Sequence, residues 1–327
     1  MAIDDDITRE VNRRLPRFDE LPLAEGGARS AWGLFGPDDS LGMLNLVDEA
    51  TSLAASRLVR RGAVFPLDIE LGTVTPPFFS RGRGRHTVVE KVPDKALDDV
   101  YDDFWPQSGS QWDALAHIAF QPGRFYNGAS KAEVVEQGRD TIGHWGRHGV
   151  ATRGVLLDVA DAVARGGGAG ESTPVTVADL EAARTRAGIE YRPGDVLLVR
   201  TGFLGWYRAQ GPQSHAKQAN PDTLTAAGIG QSEEMARYLW DAGFAAVATD
   251  TAGFECWPPD RSEAGFPYGF LHQILLGQFG MGIGELWDLD ALAADCAVDG
   301  VCEVFLVSAP LNAPRGIGSP ANAVAIK

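Results

Sequence analysis

The chain has 327 residues, of which 44% are hydrophobic and 22% are charged, a composition typical of globular proteins. Its formal net charge at pH 7 is −15, and its only basic run is the short segment from Arg81 to His86. Nucleic acids and anionic membranes attract clustered basic residues, so this charge pattern argues against both as partners. The apolar runs are also too short to span a bilayer.

The cysteine content and the N-terminus bear on the cellular compartment. Cys256, Cys296 and Cys302 form an odd set without metal-ligand spacing, which is typical of reduced thiols. The acidic N-terminus has no apolar segment of the kind found in signal peptides. We therefore expect a cytoplasmic protein.

The first third of the chain predicts an arm, a helix and a strand. Residues 1–31 are charged and contain the pair Gly26-Gly27, which predicts an N-terminal arm ahead of one compact domain over residues 32–327. Apolar residues at helical spacing predict a helix over residues 45–61, and alternation predicts a strand over residues 63–71. Beyond it, the aromatic loop around Phe78 could line a binding site, because such loops often do.

The rest of the chain predicts alternating strands and helices. Buried strands are expected over residues 154–159, 196–200, 245–250 and 301–307. Helices are expected over residues 176–187, 233–242, 266–279 and 288–296, with Thr176, Ser232 and Asp288 as N-caps. Residues 212–230 predict a polar loop that could cover a site. No glycine-rich phosphate-binding motif is present, so we expect no nucleotide cofactor.

The segment from Ser108 to His117 combines groups that are expensive to bury. It brings an aromatic (Trp112), a carboxylate (Asp113) and an imidazole (His117) into an apolar stretch. Such polar groups are buried only when they pair with something or bind a metal. Taken singly, these residues could equally be a packed aromatic, a turn-capping carboxylate and a hydrogen-bonded core histidine.

This segment resembles a degenerate copy of the H-x-G-T-H-x-D-x-P-x-H signature of the cyclase family, which includes bacterial kynurenine formamidases and isatin hydrolases. Gly109, Asp113 and His117 match the signature, whereas Gln107 and Gln111 stand where it has its two leading histidines. The resemblance runs from about Trp32 to the C-terminus. It implies a single compact α/β domain, with a mixed β-sheet curled toward a barrel and helices outside, the swivelling β/β/α arrangement.

The resemblance also implies a metal site. In the family, one metal position uses the motif Asp with a later His and Glu, which match Asp113, His272 and Glu285. The other position is left here with Gln107 and Gln111. Carboxylates, one imidazole and a neutral amide oxygen suit a hard ion, so we expect one divalent ion, Mn²⁺ in preference to Zn²⁺ or Mg²⁺.

The leading functional prediction is a metal-dependent hydrolase of a small cyclic amide, lactone or aryl formamide. The resemblance implies that His117 is the general acid/base beside Asp113, and that the protein is a homodimer or homotetramer. Side chains from the aromatic loops and the motif could contact a small-molecule substrate, with core or surface positions as the alternative: Phe78, His86, Trp105, Trp112 and Tyr126.

Two other functions remain open from the sequence. The two glutamines favour a metal-independent cyclase, lyase or isomerase, in which Asp113, His117, His272 and Glu285 run acid–base chemistry. A small-molecule binding protein without catalysis is the third. Asp250 and Glu255 could add a carboxylate near the site or lie on the surface.

Overall fold

The computed structural model describes residues 15–327, so residues 1–14 of the predicted arm lie outside it. The rest of the predicted arm packs against the body of the chain. Phe18 is fully buried, and its backbone N–H donates to Asp241 Oδ1 at 2.8 Å. The indole of Trp240 donates to the carbonyl oxygen of Pro16 at 2.9 Å.

A mixed nine-stranded sheet forms the centre of the fold. In spatial order its strands are β1 (Val64–Pro66), β13 (Ala323–Ile326), β11 (Glu303–Ser308), β5 (Val150–Asp158), β7 (Val196–Arg200), β9 (Ala246–Thr249), β10 (Gly282–Glu285), β4 (Gln111–Asp113) and β12 (Gly318–Pro320). Strands β5, β7, β9 and β10 are parallel, and the flanking strands pair antiparallel. The sheet is strongly curled into a half-barrel, which confirms the predicted fold class.

Helices surround this sheet. They are α1 (Glu49–Ser56), α2 (Ile142–His148), α3 (Ala160–Gly166), α4 (Val177–Ala187), α5 (Phe203–Arg208), α6 (Pro212–Ala219), α7 (Glu233–Asp241), α8 (Leu271–Ile274) and α9 (Asp290–Asp299). Two π-helical segments cover Glu133–Gln137 and Leu275–Phe279, the second continuing α8. None of the helices within residues 15–327 is long and apolar enough to cross a membrane.

Short 3-10 turns and two small sheets complete the fold. The turns cover Phe18–Glu20, Glu25–Gly27, Gly42–Leu46, Phe78–Ser80, Pro106–Ser108 and Tyr126–Gly128. The small sheets are the hairpin of β2 (Arg85–Val92) with β3 (Ala96–Asp102) and the pair of β6 (Pro174–Val175) with β8 (Gly228–Ile229).

Two predicted helices with a capping residue are confirmed. The Thr176 hydroxyl accepts from the backbone N–H of Asp179, and the Asp179 carboxylate returns the bond, which begins α4. Ser232 accepts from the N–H of Met235 and begins α7. In both cases the cap satisfies backbone donors that the first helical turn leaves free.

Three predicted boundaries are wrong, each for a local reason. The helix over residues 45–61 shrinks to α1, because Asp48 caps it by accepting from the N–H of Thr51. The strand over residues 63–71 shrinks to β1, because the backbone leaves β13 after Leu67 and Asp68 forms an isolated bridge with Trp287. Asp288 does not cap α9, since its carboxylate pairs with Arg208 at 2.6 Å.

Two surface segments also differ from their prediction. Residues 212–230 are not one loop, because α6 fills Pro212–Ala219, with proline in the first turn where its missing N–H costs nothing. The hairpin of β2 and β3 was not predicted. Most of its side chains are exposed on both faces, so it has no apolar alternation for a sequence pattern to detect.

A close backbone contact joins the segment before α1 to the end of the π-helix. Gly42 has φ +60°, and a Cβ there would lie 2.0 Å from the carbonyl oxygen of Gly280. Gly33 also has positive φ, +78°, but a Cβ there would meet nothing within 4 Å. A side chain at Gly42 would therefore meet both steric overlap and backbone strain, whereas a side chain at Gly33 would meet backbone strain alone.

We expect Gly42→Ala to lower the free energy of unfolding by about 2–5 kcal/mol, since overlap adds to left-handed strain. Gly33→Ala, the matched control, is expected to cost only about 1–2 kcal/mol. Urea denaturation of both variants measures the difference. Equal losses would show that the contact with Gly280 relaxes at no cost.

Candidate active site

Strands β4 and β10 and helix α8 carry the residues of the candidate site. Strand β4 carries Gln111 and Asp113, which point to the same face because side chains alternate along a strand. Strand β10 pairs with β4 in a register that sets Glu285 opposite Gln111. Helix α8 adds His272. The sheet therefore places residues that lie 174 positions apart in the chain side by side.

The centre of this group is formed by Asp113, His272 and Glu285. The His272 Nε2 atom lies 3.1 Å from Glu285 Oε1 and 3.6 Å from Asp113 Oδ2. One ligand atom from each residue lies within 4.8 Å of the others. All three residues are buried, and Asp113 Oδ2 has no hydrogen-bond partner among the described residues.

Two further buried residues hold this centre in place. Glu255 Oε1 lies 2.9 Å from His272 Nδ1, so Glu255 fixes the orientation of the imidazole ring. The Gln111 amide nitrogen donates to Glu285 Oε2 at 2.6 Å and to Asp113 Oδ1 at 3.3 Å. The amide oxygen of Gln111 faces Arg81 at 3.5 Å. The amide nitrogen of Gln111, not its oxygen, therefore faces the carboxylates.

His117 lies beside this centre and is the part of it that solvent reaches. Its Nε2 atom is 3.8 Å from Asp113 Oδ1, and its side chain keeps 21% of its surface exposed. Burial lowers the pKa of His117 below its usual value, with further lowering from the positive charges of His272 and Arg81, against the opposing effect of Asp113. A neutral imidazole facing solvent can accept a proton.

The ionisation of the central residues reflects crowded negative charge. Burial, and then the negative charge of Asp113, raises the pKa of Glu285 to about 7. Burial also opposes ionisation of Asp113, but the positive charges of His117 and His272 outweigh it and lower its pKa. The pKa of His272 lies well above its usual value, because Glu255, Asp113 and Glu285 outweigh the effect of burial.

These observations fit a divalent cation. When Glu285 is ionised as well, Asp113, Glu255 and Glu285 carry three negative charges, which a protonated His272 offsets only in part. Burying uncompensated charge is costly, and the unpartnered Asp113 Oδ2 marks where compensation is missing. Asp113, His272 and Glu285 could hold the ion, with Glu255 accepting a hydrogen bond from the Nδ1–H of the ligand imidazole, as is usual for metal-binding histidines.

The structure also shows where the other residues considered as ligands or pocket walls lie. The side chain of Gln107 lies against Gly318 of β12. A Cβ atom added to Gly318 would be only 2.7 Å from the amide nitrogen of Gln107. Gly318 pairs with Asp113, so Gln107 is near the site, but its side chain makes no hydrogen bond with the central group among residues 15–327. Trp112 points to the opposite face of β4, where it packs against Trp145 and Trp287.

The remaining predicted substrate contacts lie in three different environments. Phe78 and Tyr126 are buried, the first against Tyr207 and the second with its hydroxyl on Asp39. Trp105 is 43% exposed. His86 lies on the exposed hairpin, 2.6 Å from Asp99 and stacked on Tyr101. The structure does not bring these four side chains together with the central group.

The structure places Arg81 and Phe270 at the site, two residues that the sequence analysis did not assign to it. The Arg81 guanidinium donates to the carbonyl oxygen of Gln107 and faces Gln111. Phe270 stacks on His272 with 5.0 Å between ring centroids. Their sequence signals were the basic run after the aromatic loop and the aromatic two positions before His272, and neither is specific alone. Glu255 was considered only as a possible carboxylate near the site.

Fold and site together define a cyclase-like α/β protein with a buried Asp–His–Glu group on one face of a curled sheet. The family model described as "Putative cyclase" matches residues 40–256 of this chain. The chain belongs to the cyclase family. No curated protein sequence matches it.

Solved structures share this fold, and the first of them also supports the family. A crystal structure titled as a novel cyclase is 31% identical, with a TM-score of 0.79 over 91% of this chain and 99% of the other. Isatin hydrolase A from Labrenzia aggregata, bound to benzyl benzoate, is 17% identical, with a TM-score of 0.58 over 85% and 97%. Isatin hydrolase A from Ralstonia solanacearum is 18% identical, with a TM-score of 0.57 over 86% and 98%.

Proposed function

We propose that this protein is a hydrolase of small cyclic amides, lactones or aryl formamides that works with one divalent ion at Asp113, His272 and Glu285. The observation that carries the proposal is the buried, negatively charged centre with an unpartnered Asp113 Oδ2 beside the accessible imidazole of His117. The family and its isatin hydrolase neighbours support hydrolysis as the class of reaction.

The proton chemistry is assigned to His117. A divalent ion held by Asp113, His272 and Glu285 would polarise a carbonyl group and make a water molecule easier to ionise. The neutral Nε2 of His117 accepts the proton of the attacking water. It then delivers that proton to the nitrogen or oxygen that leaves the carbonyl carbon, so His117 is unchanged after one turnover.

Glu255 and Gln111 act by positioning the ligands. Glu255 accepts from the Nδ1–H of His272 and so keeps Nε2 directed at the centre. Gln111 holds the carboxylates of Glu285 and Asp113 with its two N–H groups. Carboxylate oxygens are hard donors, and only one borderline imidazole accompanies them, so this donor set favours Mn²⁺ over Zn²⁺, which is typically held by sulfur or by several histidines.

The role of Glu255 gives a testable expectation. Glu255→Gln should weaken metal binding by about 10–100-fold, because the bond that orients His272 loses its charge. Glu234→Gln, at an exposed position on α7, is the matched control and should leave affinity unchanged. Competition with a fluorescent chelator measures both affinities. Unaltered affinity in Glu255→Gln would remove Glu255 from the metal site.

Product mass tests the reaction itself. We expect purified protein supplied with Mn²⁺ to convert at least one of a set of cyclic imides, lactones and aryl formamides. For a ring-opened amide or lactone, the product should be heavier than the substrate by one water. Mass spectrometry of each reaction measures this mass difference, with His117→Gln as the inactive control. Failure across all three classes would contradict the proposal.

One observation favours a second candidate function. With His272 protonated between Glu255 and Glu285, and Gln111 donating to Glu285, much of the centre is hydrogen-bonded without an ion. Such a network could support a metal-independent cyclase, lyase or isomerase. Products of unchanged mass, or lighter by one water, formed equally well in the presence of a chelator would establish this alternative.

A further inference from the structure

Five side chains form a continuous packed series that ends on the ring of His272. The Arg81 guanidinium lies over the Phe79 ring at 5.1 Å, and Phe79 packs on Trp257 with 4.8 Å between centroids. The Arg261 guanidinium lies over both Trp257, at 5.2 Å, and Phe270, at 4.3 Å. Phe270 in turn stacks on His272. We call Phe79, Arg81, Trp257, Arg261 and Phe270 the guanidinium–aromatic rim.

In the described part of the chain, the two arginines of the rim have no acidic partner, although the full sequence has 44 acidic residues against 29 basic ones. Within residues 15–327, neither guanidinium forms an ion pair. Other arginines of the chain are firmly paired, such as Arg153 with Asp195 at 2.6 Å and Arg200 with Asp290 at 2.7 Å. A guanidinium stacked on an aromatic face keeps its N–H groups directed outward in the plane, free for an acceptor.

Arg81 connects the rim to the candidate site through its contacts with Gln107 and Gln111. Its Nη1 atom bonds the carbonyl oxygen of Gln107 and faces the amide oxygen of Gln111, whose other end holds Asp113 and Glu285. Arg81 is half-buried, which limits its motion, whereas Arg261 is exposed. The rim is therefore positive and the centre negative, and Gln111 lies between Arg81 and the carboxylates of the centre.

We propose that the rim binds a carboxylate carried by a planar, conjugated substrate, with Arg81 as the main anchor and Arg261 as a weaker second contact. A planar carboxylate matches the fork of N–H donors on a guanidinium. The half-buried ring of Phe79 offers an aromatic contact for a flat ring. The negative centre repels the carboxylate, so the charged end stays at the rim while the carbonyl to be attacked faces His117.

This inference narrows the substrate class of the proposed hydrolase, and it rests on that function only for the direction of the reactive carbonyl. Binding is therefore tested without turnover. The probes are naphthalene-2-carboxylate and naphthalene-2-carboxamide, which have the same flat ring and nearly the same shape but differ in charge. Isothermal titration calorimetry measures the dissociation constant of each with the protein as purified.

We expect the wild-type protein to bind the carboxylate about tenfold or more tightly than the carboxamide. Arg81→Met should remove this preference and leave carboxamide binding within about twofold. Arg81→Lys should retain part of it, because lysine supplies charge without the planar fork. Arg83→Met, at an exposed arginine two positions away, is the matched control and should behave as wild type.

The Asp113→Asn variant separates this inference from the proposed function. If the rim binds the carboxylate, the preference survives in Asp113→Asn, whether or not the protein hydrolyses anything. Three outcomes would overturn the inference: no carboxylate binding by wild type, equal binding of the two probes, or a preference that Asp113→Asn abolishes and Arg81→Met leaves intact. The last would mean that the carboxylate binds at the metal site.

Discussion

Asp113→Asn is expected to abolish stoichiometric metal binding and to lower hydrolytic kcat/KM by about a thousandfold or more. Asp113 is fully buried, and its Oδ2 atom has no other partner among the described residues, so its charge is available to a cation. Asparagine keeps the shape and the hydrogen bond to Gln111 but removes that charge. Elemental analysis by inductively coupled plasma mass spectrometry, on protein purified without added metal or chelator, measures the loss.

A second buried carboxylate supplies the control for this variant. Asp250 is as buried as Asp113, but its oxygens accept from Thr201 and from the backbone N–H of Gly202. Asp250→Asn should therefore lower the free energy of unfolding by about 1–3 kcal/mol without changing the metal content. A full complement of metal in Asp113→Asn, or its loss in both variants, would contradict the assignment of the ligand.

Thermal melting gives a further readout of the same site. A ligand that binds only the folded state raises stability, so adding a chelator should lower the melting temperature of the wild-type protein. In Asp113→Asn the chelator should have no effect, because there is no bound ion to remove. An equal decrease in both proteins would place the stabilising metal elsewhere.

Much of the central site could be inferred from the sequence, because its chemistry is tied to short patterns. The Asp113 and His117 pair lies within one segment, and His272 and Glu285 lie in local contexts that resemble those of the family. What the sequence could not show is how these residues meet. The antiparallel register of β4 and β10 sets Glu285 beside Gln111, and no spacing along the chain encodes that pairing.

The side chains around the centre were harder to predict for a physical reason. Strand alternation sends Trp112 to the core and Asp113 to the site, but with only three residues in β4 the pattern is too short to assign faces. Arg81, Trp257 and Arg261 lie in loops, where position depends on tertiary contacts rather than on periodicity. The strands of the hairpin that carries His86 are mostly exposed, so no alternating apolar pattern indicates a strand there.

His117→Gln is expected to lower kcat by about 10²–10⁴-fold while leaving metal content unchanged, because the amide cannot exchange the proton but His117 is not one of the three central ligands. His148→Gln, at an exposed histidine of α2, is the matched control and should keep wild-type kcat. Steady-state kinetics and elemental analysis on the same preparations test both parts. Loss of the metal in His117→Gln would make His117 a ligand instead of an acid/base.

The pH dependence of kcat tests the same assignment from the direction of the His117 pKa. Burial and the positive charges of His272 and Arg81 lower this pKa below its usual value, against the opposing effect of Asp113, and a bound divalent cation would lower it further. The base form exists above the pKa, so kcat should fall as pH decreases through a value below 6.5 and stay level above it. Removing one positive charge in Arg81→Met should move this acidic limb to higher pH. A limb that is absent from the wild type, or that persists in His117→Gln, would assign the proton transfer to another group.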